Sequence, residues 1–248
     1  MARKTNLAFR LWRRAKASNI IGSGLAERFL RGLVPDNILA PANTRYLRFK
    51  PSHHVRVLHL NDGFLRGLTN NTRVLEIGSH TGGLTDYLLG KSKLRPENYT
   101  LLDRLYITPH IPLKRKVAEL VKRKKIRMIA ADYHEYDFGN EQWNHILMPA
   151  SLFPRKGAKS EEVHSDMIKA IEKILRHVEI GGTLRVSHLW PGVLNEKHAG
   201  FFSQLHAFLT KGKEQNNLEY TLTDSQEHRG FNGHGLIITK LRKTRERE

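Results

Sequence analysis

The stretch RVLEIGSHTGGLTDYLLG, residues 73–90, joins an apolar run to a glycine-bearing turn and then to a helical pattern. Glycines in such a turn let a backbone approach a ligand closely, and the first N–H groups of the following helix are free to meet it. Further along stand two acids, Asp103 in YTLLDR and Asp132 in IRMIAADYHEYDF. A carboxylate at the first position can accept hydrogen bonds from both hydroxyls of a ribose, and the second lies where an adenine would rest. Proton transfer has candidates among the 14 histidines, since a neutral imidazole titrates near neutrality. Position selects His188 in RVSHLW and His134 in DYHEY as bases near the pocket mouth, while His80 sits inside the glycine turn. Tyr133 and Trp190 can stack on a base or form a wall of the pocket. The chain has no cysteine, which excludes disulfides, thiolate nucleophiles and cysteine-ligated zinc. His53 and His54 are adjacent, and no His-x-x-x-His or paired-carboxylate spacing supplies a ligand set, so no metal site is expected.

Elements of regular spacing must position these residues. Strands are expected at 73–78, 99–103, 126–132, 143–148, 182–189, 219–224 and 235–241. Helices are expected at 55–68, 82–89, 113–124, 161–178 and 196–209. Strands alternating with helices imply right-handed crossovers and a parallel sheet covered on both faces. The last two strands are separated by too few residues for an obvious crossover helix, so the final strand should enter antiparallel. The fold class is therefore α/β, with a doubly wound, mostly parallel seven-stranded sheet whose last strand is antiparallel. In such a sheet ligands bind beyond the carboxyl ends of the strands, where the glycine turn, Asp103 and Asp132 would all lie.

At 248 residues the chain accommodates one large α/β core and a small extension. Residues 5–33 read as two short amphipathic helices, so we divide the chain into a basic helical arm and connection, 1–54, and a main domain with a basic tail, 55–248. Forty-two Lys and Arg against 24 Asp and Glu give a net charge of +18, a surface that attracts RNA, DNA or anionic lipid. The first 50 residues carry 11 basic and two acidic side chains. Lysines and arginines cluster again in KRKVAELVKRKKIR, residues 114–127, and in the tail KLRKTRERE. The longest apolar runs fall far below the roughly 20 residues of a membrane span. No signal-peptide pattern is present, so a cytoplasmic setting is expected, and the Arg-rich, acid-poor start also suits a mitochondrial matrix address.

VLEIGSHTGGLT, LLDR and AADYHEYDF, on three consecutive strand ends before a terminal hairpin, resemble the class I S-adenosylmethionine-dependent methyltransferases. The resemblance covers about residues 55–242. It implies that Gly78, His80 and Gly82 line the methionine part of S-adenosylmethionine, that Asp103 holds the ribose, and that Asp132 with Tyr133 holds the adenine. Glu76 would orient the turn or reach the cofactor amino group through water. His80 stands where the family pattern usually has glycine. The Thr-Gly-Gly step is most similar to ribose 2′-O-methyltransferases and haemolysin-like ribosomal RNA methyltransferases, but their Lys-Asp-Lys-Glu tetrad has no match here. Met148, Pro149 or Ala150 stands where the aspartate belongs, Ser187 or His188 replaces the second lysine, and His234 replaces the glutamate. The Asn-Pro-Pro-Tyr-type motif of many amino-group methyltransferases is also missing.

Three functions fit these observations. The first is an RNA methyltransferase whose basic segments grip phosphates. The second is a non-catalytic relative that keeps the fold as an RNA-binding or assembly module. The third is a methyltransferase at an anionic membrane surface, acting on a phospholipid amine, with the arm lying in the interface.

Overall fold

The computed structural model describes residues 51–78, 82–104, 113–149, 162–187, 199–225 and 233–242. The chain divides into two compact units, Met1–Arg48 and Phe49–Glu248, and every described residue belongs to the second. The expected arm helices, His80, His188, Trp190 and the tail after 242 lie outside the described residues.

Helices α1 (Pro51–Val57) and α2 (Asp62–Gly67) precede strand β1 (Val74–Ile77). Helix α3 (Gly83–Lys91), strand β2 (Tyr99–Leu102), helix α4 (Leu113–Lys124) and strand β3 (Arg127–Ile129) form the next two repeats. Strand β4 (Trp143–Pro149), helix α5 (Val163–Arg176), strand β5 (Val178–Ser187) and helix α6 (Ala199–Glu214) follow. Strands β6 (Leu218–Ser225) and β7 (Gly233–Lys240) close the chain. The sheet order is β3-β2-β1-β4-β5-β7-β6, with β7 antiparallel to both neighbours and β1 to β5 paired in parallel. The seven-stranded, mostly parallel sheet with a reversed last strand thus agrees with the pattern in the sequence.

Strand alternation sends Leu75, Ile77, Ile146, Met148, Leu184 and Val186 to one face, where Met167, Ile171, Ile174, Phe201 and Leu205 of α5 and α6 bury them. Val74, Tyr99, Leu101 and Leu147 face the other way and pack with Leu58, Leu65, Leu84, Leu88 and Leu120. Among the described residues no helix is long and apolar enough to cross a membrane.

Several boundaries differ from expectation, three of them for a local reason that can be named. The single helix expected at 55–68 is two helices. His59 takes a left-handed φ of 51°, its N–H donates to the Arg56 carbonyl (3.0 Å), and the Leu60 N–H reaches the Val55 carbonyl (2.8 Å). This Schellman closure ends α1, and Asn61 then caps α2 by accepting from the Phe64 N–H at 2.9 Å. Strand β3 stops at Ile129 because it is an edge strand paired only with β2, and Asp132 draws the following residues into a turn. Strand β5 begins earlier, at Val178, because a register shift lets Val178 pair with Trp143 before Thr183 meets His145.

Candidate functional site

The carboxyl end of β1 runs into Gly78, whose N–H continues the ladder by donating to the Leu102 carbonyl at 2.8 Å. Gly78 has φ 78°, and Gly82, which caps α3, has φ 71°. An L-residue held left-handed costs roughly 1–2 kcal/mol, so both positions suit glycine. Left-handed glycines thus stand at the end of the strand, one residue past Ile77, and at the start of the helix.

On β1, two residues before Gly78, Glu76 has no solvent exposure. The β1–β2 register pairs Val74 with Tyr99 and Glu76 with Leu101, so alternate side chains of both strands share a face. Across that face the Tyr99 hydroxyl donates to Glu76 Oε2 at 2.7 Å, and Thr85 Oγ1 on α3 donates to the same oxygen at 2.7 Å. The other oxygen, Oε1, is buried with no partner among the described residues. Burial pushes the Glu76 carboxyl up to about 7; the hydrogen bonds from Thr85 and Tyr99 oppose the rise, and the charge of Asp103 adds to it. Asp103 directly follows β2, is 5% exposed, and anchors its backbone by donating to the Ile129 carbonyl at 3.1 Å.

Asp132 organises the third strand end. Its Oδ1 accepts from the His134 N–H at 3.0 Å, and its backbone carbonyl accepts from the N–H groups of Glu135 (3.0 Å) and Tyr136 (2.8 Å). Its Oδ2 lies 3.6 Å from Arg104 Nη1, so the residue after Asp103 bridges two strand ends. Tyr133 is 8% exposed and belongs to the core, and the His134 ring stacks on it with centroids 4.3 Å apart. On the outer side of this turn, Lys173 Nζ of α5 donates to the carbonyls of Tyr133 (3.2 Å), His134 (2.9 Å) and Tyr136 (2.9 Å).

Glu76, Gly78, Asp103 and Asp132 thus occupy the carboxyl ends of three adjacent strands, with Gly82 opening the helix beyond. Tyr133 and His134 form a stacked pair beside Asp132. An open groove lined by Gly82, Gly83, Asp86, Leu120 and Arg123 lies between α3 and α4. It does not include Asp103 or Asp132, and we take the strand-end carboxylates as the site. Among the described residues no three His, Asp or Glu side chains come together as a metal-binding group. Thr85, Tyr99, Arg104 and Lys173 were not singled out by motif. Tyr99 and Asp103 share the sheet face of Glu76 by alternation, a signal that becomes readable only once the β1–β2 register is known.

Chemically, a protein of net charge +18 collects Glu76, Asp103 and Asp132 at one edge of its sheet. A buried carboxyl oxygen without a partner among the described residues, next to a second acid, suits a ligand that brings hydrogen-bond donors and positive charge.

No family model matches the sequence, and no curated protein matches it. Solved structures are similar in fold. An rRNA methylase from Streptococcus thermophilus aligns at TM-score 0.52 and 17% identity, over 75% of this chain and 98% of that one. The N-methyltransferase NodS from Bradyrhizobium japonicum WM9, solved with S-adenosyl-L-homocysteine, aligns at TM-score 0.53 and 17% identity, over 86% and 97%. The plantazolicin methyltransferase BpumL, also solved with that ligand, aligns at TM-score 0.55 and 14% identity, over 84% and 91%. At these identities the likeness is one of fold, and the fold is that of the class I S-adenosylmethionine-dependent methyltransferases.

Proposed function

We propose that the protein is an S-adenosylmethionine-dependent methyltransferase that acts on RNA. The observation that carries the cofactor reading is Glu76 Oε1, buried with no partner among the described residues, two positions before the left-handed Gly78 and with Asp103 close by. The residues fit the group: Gly78 and Gly82 present no side chain to the methionine part, Asp103 can accept from the ribose hydroxyls, and Asp132 with Tyr133 would border the adenine. The carboxylates of Asp103 and Asp132 favour a ligand whose reacting centre is a cation. Structural neighbours crystallised with S-adenosyl-L-homocysteine support the same reading.

When bound, the cofactor supplies an electrophilic methyl group. The chain must hold an acceptor in line with that methyl and remove a proton from it. His134, half-buried beside Tyr133, and His188 are the proposed proton acceptors. RNA as substrate is supported by the charge of +18 and by Lys122 and Arg123 on the exposed side of α4. It is also supported by the rRNA methylase among the structural neighbours. We assign residues 1–54 and 114–127 to phosphate contacts.

One observation favours the non-catalytic reading instead. The carboxyl end of β4 presents Met148 and Pro149, both buried, where the tetrad aspartate would stand. One experiment separates the two readings. Binding of S-adenosyl-L-homocysteine is measured by calorimetry, and transfer of labelled methyl is measured to total RNA, protein and lipid fractions. We expect label in RNA, and Asp103→Ala should weaken ligand binding about tenfold or more, the worth of hydrogen bonds to a charged group. A wild-type chain that binds no ligand at millimolar concentration overturns the cofactor reading. Binding with no labelled fraction leaves the RNA-binding module.

A further inference from the structure

We infer that Lys173 is a positioning residue for the adenine end of the site, acting by holding the turn 132–136 in a single shape. The inference rests on the cofactor reading above. Lys173 belongs to α5, four helices along the chain from α1 and outside the strand-end carboxylates, yet its ammonium is the point on which the carbonyls of Tyr133, His134 and Tyr136 converge, at 3.2, 2.9 and 2.9 Å. An ammonium has three N–H donors, and here each has one acceptor. The same turn directs the N–H groups of His134, Glu135 and Tyr136 back to Asp132. It is therefore clamped at both ends: a carboxylate and its carbonyl take the N–H groups, and a cation takes the carbonyls. This is the charge arrangement that favours a helical turn.

The sheet does not supply this rigidity. Strand β3, which leads into the turn, is three residues long and, among the described strands, pairs only with β2. Asp132 lies beyond its last pair, Leu102 with Ile129. Lys173 instead ties the turn to a 14-residue helix whose buried face, Met167, Ala170, Ile171 and Ile174, is fixed in the core. Its ammonium also lies 5.4 Å from the Phe138 ring centroid, a second contact with the segment that follows the turn. Removing the ammonium leaves three carbonyls of a half-buried turn without their donor, while the apolar face of α5 is untouched. The turn should loosen, and Asp132 and Tyr133 with it, before the fold does.

The test compares wild type, Lys173→Met and Lys173→Arg by calorimetry with S-adenosyl-L-homocysteine and by amide hydrogen exchange. Lys173→Met should bind the ligand about tenfold more weakly, the loss expected for hydrogen bonds to a charged group. It should exchange faster across residues 132–138 while α5 keeps its protection. Lys173→Arg, which keeps the charge and N–H donors, should recover part of the affinity. Lys173→Met binding within twofold of wild type overturns the inference, as does a loss of protection in α5 equal to that in the turn. A wild-type protein with no affinity for the ligand overturns the cofactor reading and this inference together.

Discussion

Replacing Glu76 by glutamine should change how stability depends on pH, and the size and sign follow from its burial. The unfolded chain releases this proton near the ordinary value of 4.5, whereas the folded chain keeps it until about 7. Between those limits the unfolded state holds fewer protons, so wild type loses stability as pH rises. The loss is absent below 4.5 and complete above 7. At about 1.4 kcal/mol per pH unit, it amounts to about 3 kcal/mol. A glutamine keeps the acceptor for Thr85 and Tyr99 and has no proton to release. Against this, its amide nitrogen takes the unpartnered Oε1 position, which costs about 1–3 kcal/mol at every pH. The informative quantity is therefore the change in the difference between variant and wild type, measured by urea unfolding from pH 4.5 to 8. Relative to wild type, Glu76→Gln should gain about 3 kcal/mol across that range. A flat difference curve would refute the claim that the folded protein holds a protonated carboxyl here.

Two further predictions concern the same sheet face. Burial, with the charge of Arg185 as a smaller cause, lowers the His145 imidazole from 6.5 to about 4. Its stabilising contribution is present above 6.5 and is lost as pH falls to 4, also by about 3 kcal/mol. The Glu76 and His145 effects run in opposite directions and cancel over pH 4.5–6.5 in wild type. His145→Gln should unmask the Glu76 slope in the same unfolding series, so that stability falls by about 3 kcal/mol from pH 4.5 to 6.5 where wild type is flat, and a variant as flat as wild type would contradict it. Arg185 donates to the carbonyls of Leu58 (2.9 Å) and His59 (2.8 Å) and stacks over Phe64 at 4.2 Å. It thereby caps the end of α1, and burial lowers its guanidinium to about 10. Arg185→Met should destabilise the protein by about 1.5–3 kcal/mol in urea unfolding, since it strips the part-buried Leu58 carbonyl and the exposed His59 carbonyl of a charged donor.

Some of this molecule is legible along the chain. The alternation of apolar strand runs with helical spacing specifies the βαβ repeats, because burial on two sheet faces demands it. The short link before the last strand specifies its reversed direction. Glu76, Gly78, Asp103 and Asp132 are readable because strand ends in such a sheet converge on one edge, so their order in sequence is also their order in space. The break between α1 and α2 was masked, since an apolar spacing continues through it. A left-handed His59 ends the first helix there, and histidine carries no strong signal for that conformation.

What tertiary structure alone decided are the contacts between distant segments. Whether Glu76 is a solvated acid or a buried one near 7 depends on Tyr99 and Thr85. These reach it only through the strand register and the seating of α3 on the sheet. Lys173 is 40 residues from Tyr133, and Arg185 is 127 from Leu58. In the sequence each is one basic residue among 42. Local spacing determines which residues form a strand or a helix and which side they show. It carries no information on which exposed-looking cation will find three carbonyls, because that pairing exists only after the layers have packed.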